Sequence, residues 1–127
     1  MITPLYAGLC GILLLALSSR VVNGRRVHKV GLGDGGNEEL QRLIRVQANF
    51  VEYTPMILVL ILLVELNDNS ATVVHALGIA LVLSRVLHAV GLTSSAGATL
   101  PRFIGTLGTW LTLAIASSIL LMDTLPQ

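Results

Sequence analysis

The stretch RLIRVQANFVEYTPMILVLILLVE, residues Arg42 to Glu65, runs a row of charged and amide side chains directly into an unbroken apolar segment. Read as a helix, it places Arg42, Arg45, Asn49 and Glu52 at steps of three and four, on one face over about three turns. Glu38 extends the row backwards by one more turn. Ionisable groups at membrane depth are costly and usually turn toward a bundle interior or a wet cavity, where they bind or move something charged. The apolar run therefore decides the fold class, and the polar row is the first candidate for function.

Composition points the same way. The 127 residues are 54% hydrophobic and only 12% charged, with a mean hydropathy of +0.81, far from a soluble domain of this size. A single cysteine, Cys10, lies in the first apolar run, so no disulfide framework exists within one chain. It reads as a small apolar filler. The net charge of +1 is uninformative, but the eight Lys and Arg residues cluster around two connections, while Glu65, Asp68 and Asp123 lie near the opposite ends of the apolar runs.

Four spans are predicted, at about 4–22, 38–66, 71–92 and 102–122, giving an all-α integral membrane four-helix bundle in a single domain. Thr3 and Pro4 read as N-cap and first helical residue of span one, which is uncharged until Arg20 and long enough for about 30 Å of hydrocarbon. Without a basic segment before it or a cleavage site after it, this span is expected to be retained rather than removed as a signal peptide. NGRRVHKVGLGDGGN, 23–37, reads as an exposed basic loop. Its GLGDGG lacks the lysine and hydroxyl residue of a phosphate loop and follows no strand. Asn37 is a plausible N-cap for the second helix, with Glu38 and Glu39 in the first turn. Pro55, inside that helix, removes one backbone hydrogen bond and frees the Val51 carbonyl beside Glu52.

NDNS, 67–70, turns the chain into span three, which carries Arg85 and His88 on one face near its end. After a small-residue loop, Arg102 opens span four, where Gly105, Thr109, Thr112 and Ala116 form a stripe that permits close helix packing. Four spans put both termini on one side and the basic loops on the other. The positive-inside rule makes the basic side cytoplasmic and the termini non-cytoplasmic. Any chemistry is then expected between helices near the cytoplasmic face. No metal-ligand set and no nucleic-acid partner are expected.

Arg42, Arg45, Arg85 and Arg102 supply forked donors for carboxylates, Glu52 an acceptor for an amine, and Asn49 an amide for peptide-like groups. A small anionic, zwitterionic peptide suits such a set. The same residues can also pair among themselves as interhelical glue, Arg45 or Arg85 with Glu52.

RLIRVQANFVEYTP resembles the helix-two signature of the membrane-associated proteins in eicosanoid and glutathione metabolism, matching at Arg42, Arg45, Gln47, Asn49, Glu52, Tyr53 and Pro55. Length, four spans, a polar first cytoplasmic loop, the Arg85–His88 pair and an arginine opening span four agree with that family. The resemblance implies a homotrimer holding reduced glutathione between subunits near the cytoplasmic face, in a bacterial-type microsomal glutathione transferase-like member. By position, Arg45, Asn49, Glu52 and Tyr53 would contact glutathione, supported by Arg42 and Gln47, with Glu52 taking the ammonium. His88 is a peptide contact or a structural hydrogen bond; Arg85 belongs first to an ion-pair network with helix two and second to the ligand. Arg102 is the candidate for stabilising the thiolate, a thiol of pKa about 8.5 needing a cation beside it to ionise, or else a snorkelling anchor.

The chain departs from the family pattern at Leu92 and Phe103, where some relatives carry a tyrosine and a serine, and at Ala48, where some carry an arginine. Two donors near the sulfur are thereby lost, which argues against eicosanoid synthesis. The expected activity is a glutathione transferase or peroxidase acting on lipophilic electrophiles from the bilayer. A non-catalytic binding or scaffold protein of the same fold is the alternative, with a bacterial inner membrane the expected location. A small proton-coupled exporter is disfavoured: span one has no acid, and arginine neighbours hold Glu52 ionised.

Overall fold

A computed structural model describes residues 1–125; Pro126 and Gln127, the end of the expected tail, lie outside the described residues. Four helices make up the fold: α1 (Thr3–His28), α2 (Glu38–Leu66), α3 (Ala71–Ser94) and α4 (Leu100–Thr124). All four are long and apolar enough to cross a membrane. The chain is thus an all-α membrane bundle, as the hydropathy pattern predicts.

The helix boundaries have local causes. Asn37 Oδ1 accepts from the Leu40 N–H at 2.9 Å, and Glu38 and Glu39 occupy the first turn of α2, favourable against the helix dipole. Ser70 and Thr99 cap α3 and α4 in the same manner. Pro55 lies within α2, which continues through it to Leu66.

Two local readings are corrected. The loop expected from Asn23 is helical as far as His28. Gly24 is not a break but a point of close approach: a Cβ there would lie 3.1 Å from Leu43 Cδ1 and 3.2 Å from Leu40 Cδ1 of α2. Contact with α2 outweighs the roughly 1 kcal/mol that a mid-helix glycine costs. Lys29 ends the helix in the left-handed region at φ 55°, its N–H donating to the Arg25 and Arg26 carbonyls. At the other end, Thr3 is not the N-cap. Ile2 holds that position without a side-chain cap, and Glu65 from α2 supplies the acceptor, taking the Thr3 N–H at 2.8 Å and the Ile2 N–H as well. Replacing Glu65 by alanine is expected to cost about 1 kcal/mol, the usual value of a cap. Faster amide exchange confined to the first turn of α1 checks this; unchanged protection there would refute the capping role.

Both α2 and α3 contact each of the other helices, and α3 and α4 share the most extensive interface. Ile57, Ile61, Val64, Val74, Leu81 and Ala116 are fully buried between them, and Cys10 joins this core as filler. Gly105, Thr109, Thr112 and Ala116 are the buried residues of α4. The outer faces remain apolar: Ile12, Leu15, Val59, Leu83, Val90 and Ile115 are all exposed, the expected surface of a bundle solvated by lipid.

Candidate functional site

Small residues bring α3 and α4 together at the basic end of the bundle. A Cβ on Gly91 would overlap the backbone of Arg102, and one on Gly105 the backbone of Ser84 and His88. This crossing sets Arg102 beside His88 and closes one wall of a cavity against α2. The cavity measures about 200 Å³; its polar lining comprises Glu38, Gln41, Arg42, Arg45, Asn49, His88 and Arg102, and Leu92 and Ala96 complete it.

Each side chain is held in a particular way. Arg42 pairs with Glu38 one turn earlier at 3.3 Å. Arg45 reaches past Asn49 to Glu52 at 3.2 Å, a pair with about half of each side chain exposed. The contact joins one Arg45 nitrogen to one Glu52 oxygen, so both members keep donor and acceptor capacity for a further partner. Arg102 Nη1 donates to the Ala96 and Gly97 carbonyls of the α3–α4 loop, at 3.3 and 3.4 Å. Those carbonyls anchor the guanidinium at the cavity wall without neutralising it.

Behind the cavity lies Arg85, 1% exposed. Its Nη2 donates to Asn49 Oδ1 at 2.7 Å and lies 3.4 Å from His88 Nδ1, and its Nη1 donates to Thr109 Oγ1 at 3.2 Å. Its guanidinium carbon stands 5.8 Å from the centroid of the Phe50 ring, within cation–π range. Because arginine only donates, His88 Nδ1 acts as acceptor, leaving Nε2 as the ring's donor. The ion-pair network expected between Arg85 and helix two takes another form: the partner is the Asn49 amide, and Glu52 is taken by Arg45.

Of the predicted set, Arg42, Arg45, Asn49, His88 and Arg102 meet at the cavity, while Arg85 sits behind it and orients two of them. Glu52 is half exposed and stands just outside the lining, paired with Arg45, which belongs to it. Tyr53 packs against the apolar core, and Gln47 is half-buried away from the lining. Sequence reasoning missed Gln41, although it stands one turn before Arg45. It also missed Thr109 as a partner for Arg85, reading it only as a small residue in a packing stripe.

With this geometry in hand, comparison with known proteins returns the MAPEG family, matched over residues 3–122. Over 91 residues the chain is 43% identical to the Inner membrane protein YecN of Escherichia coli strain K12, covering 72% of this chain and 70% of the relative. The protein of the same name from a second Escherichia coli strain matches to the same extent.

Proposed function

Given that the chain belongs to the MAPEG family, we propose that it binds reduced glutathione at the basic end of the bundle and transfers it to lipophilic electrophiles arriving from the bilayer, or uses it to reduce lipid hydroperoxides. The observation that carries this reading is charge. Arg85 and Arg102 stand in and behind the cavity wall with no carboxylate within ion-pair distance among the described residues. A cavity with uncompensated guanidiniums favours an anionic ligand, and forked donors suit carboxylates.

Arg42, Asn49 and His88 would orient the peptide, and Glu52 would accept the ammonium. Arg102 would favour the thiolate over the thiol. The proton leaves to solvent at the cavity mouth, and the sulfur lone pair forms the new bond to the electrophilic carbon as its leaving group departs. Holding both reactants in a dry, oriented site lowers the barrier through proximity and electrostatics together.

Two observations support a site shared between subunits; a homotrimer is the assembly that the family resemblance implies. A cavity of about 200 Å³ is smaller than the roughly 300–1,000 Å³ of ordinary small-molecule sites. In addition, the Arg45–Glu52 pair at the edge of the cavity is half exposed. The 29 residues of α2 span about 43 Å, so Glu52 lies within the hydrocarbon, where lipid is a costly neighbour for a charge. A second subunit resolves both. The inner membrane, with the basic end cytoplasmic, is the proposed location.

Titrating the purified protein with reduced glutathione, with the S-methyl analogue as blank, is expected to give a saturable ultraviolet thiolate band near neutral pH. Arg102→Leu is expected to remove at least nine-tenths of that band while glutathione still binds calorimetrically. A band that survives the substitution would make Arg102 an anchor. The alternative, binding without turnover, is favoured by one observation: Leu92, an apolar residue, lines the cavity. It predicts heat of binding with no band in the parent protein.

A further inference from the structure

The basic end of α1 carries a surface that the glutathione site leaves unused. Val22, Arg25, Arg26 and Lys29 recur at steps of three and four and line a shallow depression with Val30 and Gly31. Arg26 and Lys29 are exposed and Arg25 partly so. Arg25 Nη1 donates to the Gly33 carbonyl at 2.6 Å, which fixes the guanidinium and leaves its remaining N–H groups free to donate. Among the described residues none of these three cations has a carboxylate within ion-pair distance. The acids nearest in sequence are engaged elsewhere: Asp34 Oδ1 accepts from the Gly36 N–H at 2.9 Å, Glu38 pairs with Arg42 at 3.3 Å, and Glu39 lies 3.5 Å from His28 Nε2.

Along the same helix face the character changes. Ile12, Leu15, Ser19, Val22 and Arg26 follow one another at helical spacing, and Ile12, Leu15 and Val22 are 69%, 69% and 58% exposed. From Ile12 to Val22 the helix rises about 15 Å, the depth of one hydrocarbon leaflet. An apolar stripe one leaflet deep thus ends in three unpaired cations.

We infer that this face of α1 binds an anionic phospholipid. Arg25, Arg26 and Lys29 hold the headgroup phosphate, and an acyl chain lies along Val22, Leu15 and Ile12. Guanidinium forks match phosphate oxygens, and cations bordering the membrane attract anionic lipids. A soluble polyanion would meet the cations alone, whereas a phospholipid meets the cations with its headgroup and the lipid-facing stripe beneath them with its chain.

The test releases the protein from vesicles of equal phosphatidylglycerol and phosphatidylcholine into detergent, then counts bound lipid and subunits by native mass spectrometry. The parent is expected to retain phosphatidylglycerol preferentially. R25Q/R26Q/K29Q is expected to lose about a hundredfold of that preference, roughly fivefold for each surface cation, with phosphatidylcholine retention unchanged. R25K/R26K, which keeps the charge, is expected to retain most of it. Unchanged preference in the glutamine variant overturns the proposal. So does a change in subunit number without a change in bound lipid, which would make the face a contact between copies. Should the glutamine variant fail to fold, glycerol phosphate added to the parent decides: displacement of the lipid at millimolar concentration would show that the chain stripe contributes nothing and likewise overturn it.

Discussion

Methionine in place of Arg85 is expected to lower glutathione affinity at least tenfold while leaving the thermal midpoint of the detergent-solubilised protein unchanged or higher. The two effects separate because of how this arginine is buried. It is 1% exposed, and its partners are neutral: Asn49, Thr109 and His88. Its Nε has no hydrogen-bond partner among the described residues. Burying an ion costs several kcal/mol, which only a well-placed counter-charge and complete hydrogen bonding offset. Hydrogen bonds from a charged group to neutral acceptors contribute about 1.5–3 kcal/mol each, so removing the guanidinium relieves about as much as it forfeits. Methionine fills most of the volume with a flexible apolar chain.

Binding has no such compensation. Asn49 and His88 line the cavity, and both take their orientation from Arg85; without it they relax, and the positive charge behind the cavity disappears. Lysine at the same position keeps the charge but not the fork, and is expected to retain part of the affinity. Calorimetry and a thermal scan on the three proteins check this. A methionine variant that binds as tightly as the parent would reduce Arg85 to a packing residue.

The second large effect is expected at Gly105. Leucine there would place a Cβ onto the backbone of Ser84 and His88, and no side-chain rotamer can relieve an overlap with main chain. α3 and α4 would have to separate, at a cost of about 3 kcal/mol or more, the upper end of what overpacking imposes. Their separation also moves His88 away from Arg102, so the thiolate band should vanish together with the loss in thermal midpoint. Leucine at Gly11 is the matched comparison: a Cβ there meets nothing within 4 Å, and stability and binding should be retained. Equal effects at the two glycines would show that helix propensity rather than close approach governs position 105.

Several features of this chain are properties of short segments, and short segments are legible. The four spans follow from runs of apolar residues measured against the thickness of a bilayer. The Asn37 cap follows from the acidic first turn behind it, and the stripe Gly105, Thr109, Thr112, Ala116 follows from helical spacing alone. Spacing also placed Arg42, Arg45 and Asn49 on one face, where the cavity has them. The same rule put Glu52 with them, and it pairs with Arg45 at 3.2 Å, just beyond the residues that line the cavity. Local composition misread 23–28: Asn23, Gly24 and the following charges resemble a loop until α2 packs against Gly24.

What the sequence determined by itself is the membrane class, the number of spans and the concentration of positive charge at one end, since each depends on neighbours along the chain. Only the tertiary structure decided that Arg85 meets Asn49 and Thr109, that Glu65 caps α1, and that Arg102 stands beside His88. Those contacts depend on the relative depth and rotation of separate helices. Periodicity within one helix carries no information about its register against another; that register is set where backbones approach most closely, at Gly24, Gly91 and Gly105.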